Sequence, residues 1–160
     1  MTARIIPLVL ALLLSACGFH LRGVVDIPKW LNNVAVISQE ADKQFTPMLR
    51  SNLESYKIRV NPDPMDATYW IIIKKINLAQ NIVSIGASTN PRQYQLVLTV
   101  SFMLQTRKGE VLKPVRQVTV YRQLTVNNDR ILGSNQEEAL LINEMRQDAI
   151  VQIINRLSHE

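Results

Sequence analysis

Few side chains in this sequence have the types and spacing that enzyme chemistry requires. The 160 residues include one cysteine, Cys17, and two histidines, His20 and His159, at opposite ends of the chain. The sequence contains no HExxH, GxSxG, CxxC or P-loop pattern. No obvious pair of carboxylates is flanked by apolar strand positions, as acid–base catalysis would favour. We therefore expect no enzyme, and neither a metal nor a nucleotide cofactor.

Cys17 directly follows a short apolar leader. Arg4 gives the leader a positive charge, and the ten residues Ile5–Leu14 are apolar, which is the layout of a secretory signal peptide. Ten helical residues span only about 15 Å, half of the hydrocarbon core of a bilayer. The sequence Leu14-Ser15-Ala16-Cys17 resembles the bacterial lipobox, in which the chain is cut before an acylated cysteine. It predicts a lipoprotein signal peptide over residues 1–16, with a diacylglycerol and an N-acyl lipid on Cys17.

An ordinary cleavage site with a chance cysteine nearby is the alternative reading of Cys17. A lone cysteine cannot form a disulfide within its chain, and a free thiol is a liability in an oxidising compartment. Acylation removes that thiol, and several acyl chains give stable anchoring. Gly18 in place of aspartate resembles the pattern of lipoproteins sorted to the outer membrane. We therefore expect a lipid-anchored protein on the periplasmic side of that membrane.

Removing residues 1–16 from the 160 leaves 144 residues, with 17 basic and 13 acidic side chains and a net charge of +4. This length suits one domain, which we place over residues 17–160. The positive excess suits an anionic partner and is equally ordinary for a globular domain. We expect no nucleic-acid partner.

Three long segments, 69–78, 93–106 and 115–126, have the residue pattern of β-strands. Alternation is strict in the second, where Tyr94, Leu96, Leu98, Val100, Phe102 and Leu104 share one face. Its length exceeds that of an ordinary strand and predicts a bulge or strong twist. A turn at Lys108–Gly109 joins the last two segments, so we expect an antiparallel meander.

Shorter elements complete the predicted fold. Residues 33–38 have strand composition, and residues 57–60 form a short extended piece. Helical spacing covers residues 42–55, with a start near 43–46 because Pro47 is tolerated only in a first turn. An apolar stripe follows a capping box, Ser134–Glu137, and predicts a last helix that covers the sheet. The expected class is α+β, with two helices on one face of a mainly antiparallel, about four-stranded sheet.

The other face of the predicted sheet is polar but almost uncharged. It carries Gln93, Gln95, Thr99, Ser101, Gln105, Gln117, Thr119, Tyr121, Gln123 and Thr125. Such a surface suits contact with a polar protein wall, for example the lumen of a β-barrel, or an exposed sheet selected for β-propensity. Lys74 and Lys75 lie inside an apolar strand. They either contact phosphate, or one faces solvent while the other marks a bulge.

Three short motifs resemble the LptE family of lipopolysaccharide-assembly lipoproteins: CGFHLR at 17–22, Tyr94–Gln95 and Asn143-Glu144-Met145. The resemblance covers essentially the whole chain from residue 17. It implies two helices on a four-stranded sheet. It also implies a protein that plugs the lumen of the outer-membrane β-barrel LptD, assists its assembly and binds lipopolysaccharide in transit to the cell surface.

The family resemblance also implies two basic residues that bind lipopolysaccharide. In the loop after the family's second strand, the base available here is Arg92. In the segment before the last helix, it is Arg130. Arginine suits bidentate binding of lipid A phosphates, although neither residue matches the family's register. Both are equally well read as solvated loop residues.

Two other functions remain open. One is a periplasmic carrier of lipoproteins or lipids, which requires a large apolar pocket; the aromatic content of 6% argues against it. The other is a structural outer-membrane lipoprotein that binds peptidoglycan or another assembly machine.

Overall fold

The computed structural model describes residues 27–40, 43–84, 92–126 and 131–158. The predicted signal peptide, Cys17, both histidines and Arg130 lie outside these ranges.

The described chain folds into two helices and one mixed sheet of five strands, in the spatial order β2-β1-β3-β4-β5. In chain order the elements are β1 (Asn33–Ser38), α1 (Phe45–Ser55), β2 (Arg59–Val60), a 3₁₀ turn (Pro64–Asp66), β3 (Tyr69–Ser84), β4 (Arg92–Thr106), β5 (Val111–Val126) and α2 (Ile131–Ser158). The three long strands are antiparallel, whereas β1 pairs in parallel with both β2 and β3. The α+β class is confirmed, and the fifth strand is the two-residue β2 at the edge.

The strands β3, β4 and β5 are 16, 15 and 16 residues long, and bulges interrupt their pairing, as their length predicts. One register shift lies between Ile73 and Lys75, so Lys74 is the extra residue of a bulge and Lys75 is exposed. β5 begins at Val111, four residues before the predicted start. The intervening Pro114 is compatible with a strand because β5 lies at the sheet edge, where a missing N–H leaves no ladder bond unmade.

The two helices differ in how well their starts were predicted. α1 begins at Phe45 with Pro47 in its first turn, as expected. α2 begins at Ile131, so the predicted capping box at Ser134 is wrong. An N-cap residue lies just outside the helix, whereas Ser134 lies inside it and is buried.

One hydrophobic core lies between the helices and the sheet. α1 contributes Phe45, Leu49 and Leu53, which recur at helical spacing. α2 contributes Met145, Ala149, Ile150, Ile153, Ile154 and Leu157, and the sheet contributes Val34, Val36, Ile71, Ile73, Leu96, Leu98, Val100, Phe102, Leu104, Val118, Val120 and Leu124. The prediction that the last helix covers the sheet is confirmed.

Replacement of Leu157 by alanine should test how strongly α2 is held on the sheet. Leu157 is 0% exposed, and Leu140 on the same helix is 59% exposed. We expect Leu157→Ala to lower the free energy of unfolding by about 2–5 kcal/mol, and Leu140→Ala by less than about 0.5 kcal/mol, as measured by urea denaturation. Equal losses at both positions would contradict the placement of α2.

Candidate binding surfaces

On the sheet face opposite the helices, the side chains of β3, β4 and β5 are arranged in rows that run across the strands. Lys75, Ser101 and Gln117 form one row, and each following row lies two residues farther along the strands. Below, this face is called the open face, and its residues are Lys75, Asn77, Ala79, Asn81, Gln93, Gln95, Val97, Thr99, Ser101, Gln117, Thr119, Tyr121, Gln123 and Thr125. Nine of the ten residues that the sequence assigns to the polar face belong to it; Gln105 lies on the same side, nearer the β4–β5 turn.

The open face is almost free of formal charge. Lys75 is the one ionisable side chain among its residues that is charged at neutral pH. Its amides and hydroxyls can donate and accept hydrogen bonds, and the exposed ring of Tyr121 lies among them. Such a face can contact a polar wall without burying an unpaired charge, which is the costly event in association.

At the far end of the same three strands, β3 extends beyond the cover of the helices, whereas Leu124 of β5, in the same row as Ile82, is buried. Leu78 and Ile82 of β3 lie on the core side, opposite Leu98 and Tyr94, but both are exposed. This end, where β3 stops and β4 begins, is called the distal end below. The sequence pattern does not predict that these apolar side chains are exposed, because alternation indicates which face of the sheet a residue occupies and not whether a helix covers it.

The distal end also contains the backbone of Arg92, the first residue of β4, which pairs with Val126 at the end of β5. The link that carries Arg130 runs from Val126 to the start of α2 and is outside the described residues. Val126, the last described residue before that link, is the residue that pairs with Arg92.

The sequence profile of the lipopolysaccharide-assembly family LptE matches residues 26–157. The chain belongs to the LptE family.

Named relatives and solved structures agree with this assignment. The LPS-assembly lipoprotein LptE of Pectobacterium atrosepticum is 28% identical over 98% of this chain and 86% of its own length. LptE of Yersinia enterocolitica is 30% identical over 98% of this chain and 77% of its own. The solution structure of an uncharacterized lipoprotein B from Nitrosomonas europaea superposes with a TM-score of 0.72, at 23% identity over 88% of this chain and 90% of that one. A rare lipoprotein B from Shewanella oneidensis gives 0.66, at 20% identity over 79% and 93%. These structures share the fold of this LptE-family chain.

Neither a metal centre nor a membrane span is found within the described parts of this LptE-family protein. No three His, Cys, Asp or Glu side chains cluster there in a way that could hold a metal ion. None of the helices described is long and apolar enough to cross a bilayer.

One charged contact ties β5 to α2 on the helix side of the sheet. Arg122 donates from Nη2 to Oδ2 of Asp148, and the two side chains are 35% and 48% exposed. Water and salt screen such a pair, so it orients the helix more than it stabilises the fold.

Replacement of Asp148 by asparagine tests this assignment. We expect Asp148→Asn to lower the free energy of unfolding by about 0.2–1 kcal/mol at low salt. The difference from wild type should shrink in about 1 M salt, where the screening length falls to about 3 Å. A loss that does not depend on salt would show that Asp148 acts through packing or neutral hydrogen bonds instead.

Proposed function

We propose that this LptE-family protein is an outer-membrane lipoprotein, anchored by acyl chains on Cys17, that plugs a β-barrel of the LptD type. In this role it assists assembly of the barrel and binds lipopolysaccharide during transport to the cell surface. The observation that carries the proposal is the charge-poor open face in a chain of the LptE family.

The open face fits the wall of a barrel lumen better than it fits bulk water. Lumen walls of outer-membrane barrels are polar, and glutamine, asparagine, threonine and serine can exchange hydrogen bonds with them. Lysine and glutamate usually dominate solvated strands, but a charged side chain enclosed in a lumen needs an exact partner, or it costs free energy. The single Lys75 limits this cost to one position on the face.

The distal end supports the lipopolysaccharide part of the proposal. Exposed Leu78 and Ile82 offer apolar contact, and Arg92 begins β4 one row beyond the pair of Ile82 and Tyr94. An amphiphile that carries phosphate beside acyl chains needs these two kinds of group close together. Arg130, in the adjoining link, is the second candidate base.

The carrier alternative is less well supported. Shielding an acyl chain needs an enclosed apolar cavity, whereas the described clefts lie at the opposite end from Ile82 and have charged residues in their walls.

Co-purification from outer membranes tests the barrel contact. Tagged, lipidated protein extracted in mild detergent should bring a large β-barrel protein in about equal amount, identified by mass spectrometry. The double variant Thr119→Glu/Gln123→Glu, on the open face, should recover less barrel by more than about tenfold, because an unpaired charge in an interface costs about 2 kcal/mol or more.

The matched control is Asn135→Asp/Gln136→Glu, which adds two charges at exposed positions of α2. It should leave barrel recovery unchanged. An equal loss in both variants would mean that added negative charge, not the open face, blocks association. Recovery of peptidoglycan or free lipoproteins in place of a barrel would favour the alternative functions.

Charge reversal tests the two candidate bases. We expect Arg92→Glu/Arg130→Glu to weaken binding to purified lipopolysaccharide about tenfold or more, since hydrogen bonds to charged groups contribute about 1.5–3 kcal/mol each. The thermal unfolding midpoint should not change. The control Arg59→Glu changes an exposed base on the edge strand β2 and should bind as wild type does. Unchanged affinity of the double variant would remove both arginines from the site.

A further inference from the structure

The end of the molecule opposite the distal end contains an open cleft of about 800 Å³. We call it the anchor-end cleft. The side chains that matter below are those of Trp30, Tyr69, Glu110, Leu112, Lys113 and Arg116. A second cleft of about 350 Å³ adjoins it, shares Tyr69 and Glu110, and adds Arg107 and Lys108 to the basic residues of this end.

The apolar part of the anchor-end cleft is exposed and aromatic. Trp30 is 42% exposed and packs edge-on against Tyr69, with ring centroids 5.3 Å apart and an interplanar angle of 71°. Leu112 is exposed beside them. A partly exposed tryptophan packed against a second aromatic ring has the amphipathic character of rings that lie at membrane–water interfaces.

The walls of the clefts at this end contain more basic than acidic residues. Together, the walls of the two clefts hold four basic residues, Arg107, Lys108, Lys113 and Arg116, against two acidic ones, Asp66 and Glu110. α2 ends at Ser158 on the cleft wall, and the partial negative charge of a helix C-terminus favours a nearby cation. Lys113 lines the same cleft as Ser158 and is buried. Arg116 is half-buried, so it is the more accessible of the two bases to a ligand.

The chain itself indicates which anionic surface lies near this cleft. The described residues begin at Ile27, and Pro28 lines the cleft. Nine residues lie between Cys17 and Ile27, and the ten steps from one to the other reach at most about 35 Å when fully extended. An anchor at Cys17 therefore keeps Ile27 within that distance of the membrane, whereas Arg92 and the proposed lipopolysaccharide contacts lie at the other end of the domain.

We propose that the anchor-end cleft docks on the membrane that holds the anchor, with Trp30 and Leu112 at the acyl boundary and Arg116 on the phosphate of an anionic phospholipid. This inference rests on the acylation of Cys17 in the proposed function. Docking would orient the free domain on the membrane before it enters the barrel, with the distal end pointing away from the membrane.

Tryptophan quenching in vesicles tests the docking. The lipidated, full protein is inserted into phosphatidylglycerol or phosphatidylcholine vesicles that carry bromine near the headgroup end of the acyl chains. The protein has a second tryptophan, Trp70. The quenching of Trp30 is therefore measured as the quenching that is lost in the variant Trp30→Phe. We expect strong quenching of Trp30 in phosphatidylglycerol and weak quenching in phosphatidylcholine.

Charge variants then identify the residue responsible. Arg116→Ser should reduce the docked-to-undocked ratio in phosphatidylglycerol about fivefold, the usual effect of one cation at an anionic surface, and Arg116→Lys should restore most of it. The control Lys43→Ser removes an exposed base just before α1 and should have no effect. An effect of Lys43→Ser as large as that of Arg116→Ser would overturn the cleft as the docking site.

The remaining outcomes separate this inference from the proposed function. Vesicle-bound protein with an unquenched Trp30, or equal quenching in the two lipids, would overturn docking through the cleft and leave barrel binding untouched. Protein that does not associate with vesicles would remove the anchor and the docking together. Barrel co-purification of the same preparation reports on the plug role separately.

Discussion

The register of the three long strands is the constraint on which the rest of the structure depends. Because side chains alternate between faces, a slip of one residue between β3 and β4 would move Val100 and Phe102 into solvent and bring Thr99 and Ser101 into the core. The core residues of α1 and α2 therefore select one register. The same selection gathers the glutamines and threonines on the open face. Burial on one side thus determines the chemistry of the other.

Bulges let such long strands keep that register. At Lys74 the chain inserts one residue, so Ile73 and Ile76 both face the core although three positions separate them. Without the insertion, Ile76 would point to the open face and Lys75 to the core. The bulge therefore allows a sequence with adjacent lysines to run through a buried strand.

The sequence predicted those parts of the fold that local pattern determines. Alternation placed Leu98 and Val120 in the core, and Pro47 located the start of α1. It did not predict that β1 lies parallel to β3, because pairing between distant segments leaves no local signal. Ser134 misled the prediction of α2, since serine before an acidic residue looks the same inside a helix as at its start. The contact between Trp30 and Tyr69 depends on the tertiary fold and could not be read from their spacing.

β5 shows how the free domain manages a surface that the proposed complex would cover. A 16-residue edge strand presents unpaired backbone groups that invite association with other strands. Pro114 lacks a donor, and Arg156 of α2 donates to the backbone oxygen of Gln117, so part of this edge is already occupied. The side chains of the open face also suit both the free and the bound domain. Amides and hydroxyls are well hydrated before association, and they cost less to remove from water than charged groups do. A charge-poor polar face therefore allows the domain to stay exposed until it meets its partner and still be covered afterwards.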